Sequence, residues 1–276
     1  MTTCPNCDSF GARSVREVAV TTCSIKAILT HCPNCDYLYL ADPSWLDEAY
    51  QDEFYGDTGY VARNISIASK TIALFRIWKI VSGRMDSLPP ACDIGAGLGM
   101  YARMMRDRGY DFYGIDEFAS MPLIKPFVGL ENDFRIKTAF EVVEHLPSLP
   151  AFLMKAVGDV DLFFFSTELR TVGFIPDNDW WYYAFGVGQH IGFHSKKSLA
   201  IGFTRAGYDV KGLMSYGSSL HALCVAKEWS VAFGIAKRIW RLQEKFSGVP
   251  DRLFSRLFGE SSLTFPDHLH AMKLLG

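Results

Sequence analysis

No stretch of eighteen uninterrupted apolar residues occurs in the sequence, so a membrane-spanning helix is not expected. The N-terminus, Met1-Thr2-Thr3-Cys4, has neither a basic region nor an apolar core, which leaves no secretory signal to read and makes the cytoplasm the expected compartment. An excess of either charge is missing too. The 28 Lys and Arg against 30 Asp and Glu give a net charge of −2, which argues against an electrostatic nucleic-acid binder. There is no low-complexity tract and, apart from one duplicated tetrapeptide, no internal repeat. Seven cysteines without an export signal point to thiols and metal ligation rather than to a disulfide framework. Apolar residues are plentiful: at 49% of 276 residues they suffice for one enzyme-sized domain and a small appendage.

The duplicated tetrapeptide is Cys4-Pro5-Asn6-Cys7 and Cys32-Pro33-Asn34-Cys35, each followed by Asp. Two residues between cysteines let both sulfurs reach one ion at about 2.3 Å, so the four thiols predict a closed tetrahedral site for structural zinc, with iron as the other metal an S4 set accepts. Such a site has no open coordination position and serves folding of a segment too short to build its own core. The β-branched stretch between the knuckles predicts a hairpin or short ribbon. Cys23 and His31 are left outside the ligand set.

The run Ala91-Cys92-Asp93-Ile94-Gly95-Ala96-Gly97-Leu98-Gly99, followed by Gly114-Ile115-Asp116, reads as strand, glycine-rich turn, helix and a second strand ending in an acid. A dinucleotide fold expects a third glycine five residues after the first, and Met100 stands there instead. A turn of this kind alone serves as a purely structural βα connection; Asp93 before it and Asp116 after it add groups that chemistry can use. This D-x-G-x-G-x-G form resembles motif I of class I S-adenosylmethionine (SAM) methyltransferases. The resemblance implies that Asp93, Gly95, Gly97, Gly99, Asp116 and Glu141 hold the cofactor, with Asp116 on the ribose hydroxyls and a turn without Cβ atoms close to the methionyl and adenosyl parts. Phe118 is placed to pack on the adenine, and no residue is identified for the adenine amino group.

The second half of the site is Glu141-Val142-Val143-Glu144-His145-Leu146, at the end of an expected strand. An E-V-x-E-H run after motif I is similar to that of many SAM methyltransferases. An acceptor that must lose a proton makes His145 and His190 the candidate general bases, because imidazole titrates near neutral pH, with Glu144 orienting whichever acts; the alternative is that Glu144 and His145 only cap the next helix. The string Trp180-Trp181-Tyr182-Tyr183 with Gly188-Gln189-His190-Ile191-Gly192-Phe193-His194-Ser195 looks like bacterial methyltransferases of polysaccharide and sugar-nucleotide biosynthesis. Some of its aromatics are expected to line a pocket or lid. A cysteine-rich zinc module ahead of the SAM domain is similar to sugar C-methyltransferases, which have a longer C-terminal region than this chain. The resemblance implies a small-molecule acceptor, a sugar or nucleotide sugar.

The expected architecture is α/β: a class I methyltransferase, Rossmann-like seven-stranded sheet whose last strand is antiparallel, with a zinc-ribbon-like module and a helical tail. Its divisions are 1–42 (zinc module), 43–62 (connection), 63–228 (SAM domain) and 229–276 (tail). Strands are expected near 91–94, 112–115, 136–140, 160–166, 208–216 and 219–227, and an abbreviated third strand near Pro126 to Leu130. Helices are expected over 63–82, with Ile65, Ala68, Ile72, Phe75 and Val81 on its buried face, and near 98–108, 148–157 and 195–206. The basic amphipathic tail either packs on its own domain or a dimer mate, or meets a membrane surface or partner. Two other function classes remain: a non-catalytic SAM-binding or zinc-ribbon adaptor, and a nicotinamide enzyme, which the glycine spacing disfavours.

Overall fold

A computed structural model of the chain describes residues 3–50, 58–85, 88–129 and 133–245. In chain order the elements are β1 (Arg13–Val20), β2 (Ile25–Cys32), β3 (Tyr37–Ala41), α1 (Leu46–Ala49), α2 (Thr58–Ser82), β4 (Ala91–Ile94), α3 (Met100–Arg106), β5 (Phe112–Ile115) and β6 (Ile136–Ala139). They continue with α4 (Leu149–Phe152), β7 (Leu162–Ser166), β8 (Gly192–Phe193), α5 (Lys196–Arg205), β9 (Leu213–Tyr216), β10 (Leu220–Cys224) and α6 (Lys227–Lys245). Among the described residues no helix is long and apolar enough to cross a membrane.

The larger sheet has six strands in the order β5-β4-β6-β7-β10-β9. β4 lies parallel to both β5 and β6, and β9 and β10 form the antiparallel pair. This is the mixed α/β, Rossmann-like sheet expected. The seventh strand is reduced to one parallel bridge, Val128 on Gly114 of β5; Leu130, at the end of the segment expected there, lies outside the described residues. Residues 208–212 do not extend β9, because Asp209 caps a 3-10 turn at Val210–Gly212.

The chain divides into two compact units, and the division interleaves along the sequence. One comprises Met1–Phe54, Phe140–Gly158 and Phe164–Leu223; the other comprises Tyr55–Ala139, Asp159–Phe163 and Cys224–Gly276.

In the first unit, β1, β2 and β3 form an antiparallel ribbon that β8 completes by pairing Leu38 with Phe193. The aromatic string mostly builds this unit's core. Tyr182 and Tyr183 are buried with Leu29, Leu38 and Phe193, and Trp180 packs against them. Trp181 alone stands outward, 73% exposed. A 3-10 turn at Trp181–Tyr183 breaks the alternation of a strand, which is how three of four consecutive aromatics reach one core.

In the second unit, α2 buries Asn64, Ala68, Thr71, Ile72, Phe75 and Trp78. Ile65 is exposed, against expectation, because the i, i+4, i+7 stripe that starts at Asn64 leaves its neighbour about a third of a turn away. α6 presents Trp229, Ala232, Phe233, Ala236 and Trp240 at helical spacing, all buried. Trp229 stacks on Trp78 at 4.8 Å and meets Phe75 edge-on at 5.6 Å. The described part of the tail thus packs on its own unit; residues 246–276 lie outside the described residues.

Candidate functional site

In the second unit three parallel strands, β4, β5 and β6, end on one edge, the place where open α/β sheets hold ligands. β4 delivers Asp93, a buried carboxylate that accepts a 2.7 Å hydrogen bond from Thr138 Oγ1 of β6. Burial, together with the charge of Asp116, pushes Asp93 up to about 7 despite the Thr138 bond. The chain then turns through Gly95 and Gly97, at φ +72° and +56°. Gly95 and Ala96 both donate to the Ile115 carbonyl, which docks the turn on the end of β5.

Asp116 caps this turn from the opposite strand. Its Oδ2 accepts from Gly97 N at 2.7 Å, and its Oδ1 from Phe118 N and Ala119 N at 2.8 Å each. Of about four lone-pair directions on a carboxylate, three are taken by backbone among the described residues, and one on Oδ2 is left for a ligand hydroxyl. Gly99, at φ +80°, is accounted for differently: a Cβ there would fall inside van der Waals distance of Ile124 Cγ1, so its missing side chain makes room for protein packing. Tyr60 of α2, which carries no motif, reaches the same turn through a hydrogen bond with the Leu98 backbone. Burial, with the charges of Asp93 and Asp116, raises its phenol.

The first unit carries the residues that follow β6. Glu141 sits at φ +57°, a left-handed conformation that non-glycine residues avoid. Ser166, at the end of β7, holds it there: Ser166 Oγ accepts from Glu141 N and donates to Glu141 Oε1, both at 2.8 Å. A 3-10 turn over Val143–His145 then presents Glu144 and His145 side by side. His190 arrives from the long loop, brought in because Ile191 N donates to the Glu144 carbonyl at 2.9 Å. Trp45 Nε1 on the Gly188 carbonyl and Gln189 Nε2 on the Ala49 carbonyl clamp that loop.

A carboxylate oxygen of Glu144 and a ring nitrogen each of His145 and His190 lie within 4.8 Å of one another. The two rings meet edge-on with centroids 4.9 Å apart. His145 Nδ1 is 2.7 Å from Tyr50 Oη, and His190 Nδ1 is 2.6 Å from the Tyr182 carbonyl. The motifs do not flag Tyr50: it lies 95 residues from His145 in sequence, and nothing local marks it. A cavity of about 270 Å³ in the same unit is lined by Tyr37, Tyr39, Leu40, Leu146, Pro147 and Ile191 among others, so the chain neighbours of His145 and His190 form part of its wall.

The four knuckle cysteines converge as a separate group, their sulfurs all within 4.8 Å of one another. Cys4 Sγ to Cys35 Sγ and Cys7 Sγ to Cys32 Sγ are both 3.6 Å. A tetrahedral ion at about 2.3 Å from each sulfur would have edges of about 3.8 Å, so the donor set fits. Cys23 lies instead in the hydrophobic core, and His31 pairs with Asp36 at 2.9 Å. Burial works against the Asp36 charge, but bonds from Ser195, His31 and Gly173, with the Arg170 guanidinium 3.1 Å away, hold it at about 2.

A family model described as a methyltransferase domain matches residues 73–211, just over half of the chain. No curated protein sequence matches. Among solved structures, magnesium protoporphyrin IX methyltransferase from Synechocystis PCC 6803 with bound SAH is 15% identical, covering 64% of this chain and 91% of that one, at a TM-score of 0.37. Mitomycin 7-O-methyltransferase is 13% identical over 55% of this chain and 53% of that one, at 0.37. A possible histamine N-methyltransferase from Thermotoga maritima is 12% identical over 55% and 88%, at 0.35.

Proposed function

The chain belongs to the methyltransferase domain family, and from that premise we propose that it transfers a methyl group from S-adenosylmethionine to an oxygen or carbon nucleophile of a small molecule. The observation that carries the reading is the turn at Gly95 and Gly97, free of Cβ atoms and bracketed by Asp93 and Asp116 where parallel strands end. The remaining lone-pair direction on Asp116 Oδ2 suits one ribose hydroxyl, and Asp93, once ionised, suits the positive methionyl end. When bound, S-adenosylmethionine would supply an activated methyl group, held by the Gly95–Gly97 turn with Asp93 and Asp116. The protein's part is alignment, which in favourable cases lowers a barrier by about 7–11 kcal/mol.

The acceptor must also lose a proton. In this reading His145 or His190 takes it and Glu144 orients the imidazole. The carbonyl of Tyr182 accepts from His190 Nδ1, which leaves Nε2 as that ring's basic atom. Glu141, held by Ser166, is assigned to the cofactor on the likeness of the E-V-x-E-H run. A sugar or nucleotide sugar is the acceptor class proposed, on the likeness of the Trp180–Ser195 string and of a cysteine module preceding the domain. The four knuckle thiols hold zinc in a purely structural role, with no coordination position left for chemistry.

Titration calorimetry with S-adenosylhomocysteine and with NADH tests the donor site: binding of the first alone is expected, and binding of neither refutes the proposal. His145→Ala and His190→Ala, each made separately, are expected to depress turnover while leaving S-adenosylhomocysteine binding intact. Full turnover in the double variant refutes any role for the imidazoles in removing the proton.

A further inference from the structure

Glu144, His145 and His190 are also a ligand set in their own right, apart from the four thiols. We propose that these three side chains hold a first-row divalent cation, which acts as a Lewis acid on the acceptor oxygen. The inference rests on the acceptor-side placement of these residues just given, and assigns the two imidazoles to the cation in place of the proton.

Bonds of about 2.0–2.2 Å from such a cation to nitrogen and carboxylate oxygen set neighbouring ligand atoms about 3.0–3.5 Å apart, inside the 4.8 Å within which the three atoms lie. The imidazoles are oriented from outside, as metal-bound histidines are: Tyr50 Oη meets His145 Nδ1 and the Tyr182 carbonyl meets His190 Nδ1. Glu144 is fully buried, where a carboxylate is stabilised by a cation at short range. The backbone bond from Ile191 N to the Glu144 carbonyl locks together the two segments that supply the ligands.

Two nitrogens and one oxygen select zinc, iron, manganese or cobalt over magnesium and calcium, which prefer oxygen alone. Three protein ligands leave further positions for a substrate oxygen, in contrast to the closed set of four thiols. With the cation in place the two imidazoles act as ligands instead of proton acceptors. A hydroxyl that coordinates it is acidified and gives its proton to solvent.

The full chain, its thiol cluster first filled with one equivalent of zinc, is titrated with Mn²⁺ and the free aqua ion is followed by electron paramagnetic resonance. One further Mn²⁺ per chain is expected, with nitrogen modulation from imidazole in the spin-echo spectrum. Glu144→Gln and His190→Gln are each expected to weaken binding at least tenfold while S-adenosylhomocysteine binding is unchanged. Equal Mn²⁺ affinity in both variants overturns the assignment, as does a wild-type spectrum without nitrogen modulation; the latter decides alone if the variants do not fold. Because the readout needs neither donor nor acceptor, its failure is distinct from failure of the donor site, which S-adenosylhomocysteine binding reports.

Discussion

Replacing Gly99 with alanine separates two costs that the structure assigns to this position. The residue sits at φ +80°, where a side chain costs about 1–2 kcal/mol. The new Cβ would also intrude on Ile124 Cγ1, with Cδ1 at 3.1 Å and Cβ at 3.4 Å. Ile124 is fully buried, and overpacking of that kind costs a further 1–3 kcal/mol, about 2–5 in all. In an Ile124→Ala background Cγ1 and Cδ1 are gone and the remaining Cβ is at ordinary contact distance, so Gly99→Ala should cost only the first part, about 1–2 kcal/mol. Gly158→Ala is the control: φ is +58° and nothing lies within 4 Å of the added carbon, so it too should cost about 1–2 kcal/mol. Urea unfolding of the four proteins, read as midpoint shifts at constant m, gives the double-mutant coupling directly. An equal cost of Gly99→Ala in both backgrounds would refute the packing account. The same proteins test the role of the glycine: with Ile124 truncated, Gly99→Ala should leave S-adenosylhomocysteine affinity where the Ile124→Ala protein has it.

Asp93 has a folded pKa of about 7 against 3.8 for the free group, so its contribution to stability is present below pH 3.8 and lost as pH rises through 7, up to roughly 4 kcal/mol. Asp93→Asn keeps an acceptor for Thr138, and its unfolding free energy should lack that decline between pH 4 and 8; a parallel profile in the two proteins contradicts the burial argument. Burial, aided by Arg170 and His221, depresses His194 to about 3, and burial depresses His221 to about 4. Both therefore contribute stability above pH 6.5 that is lost as pH falls through 4 and 3, and His221→Gln should blunt the acid limb of a pH–stability curve. Loading the four thiols with zinc and then stripping it with a chelator, or replacing Cys4 with serine, should expose Trp45 and shift its fluorescence to the red, because Trp45 packs in the core that β1, β2 and β3 build. Unchanged emission after complete removal of metal would count against the thiol cluster as a folding element.

What sequence reasoning reached was local. The knuckle cysteines, β4, the glycine turn, β5 and Asp116 lie within short stretches whose spacing carries their geometry, and the larger sheet forms as expected around them. What it missed depends on distant partners. Nothing near residues 180–183 says that Tyr182 and Tyr183 will meet Leu29 and Leu38 in a core. Tyr50 finds His145 and Ser166 finds Glu141 only once the chain has folded back on itself. The abbreviated third strand expected near 126–130 is present as a single parallel bridge at Val128. The place of Gly99 in the motif is legible in the sequence, whereas its close neighbour Ile124 is not.

The pairing of Leu38 with Phe193 joins residues 155 apart (193 − 38). During synthesis the cysteine ribbon therefore emerges long before the strand that finishes it. Its exposed edge must stay unpaired, or be shielded by something else, while most of the methyltransferase sheet is still being made. Cutting the gene after the knuckles would accordingly strand a β-edge whose mate is encoded much later in the message.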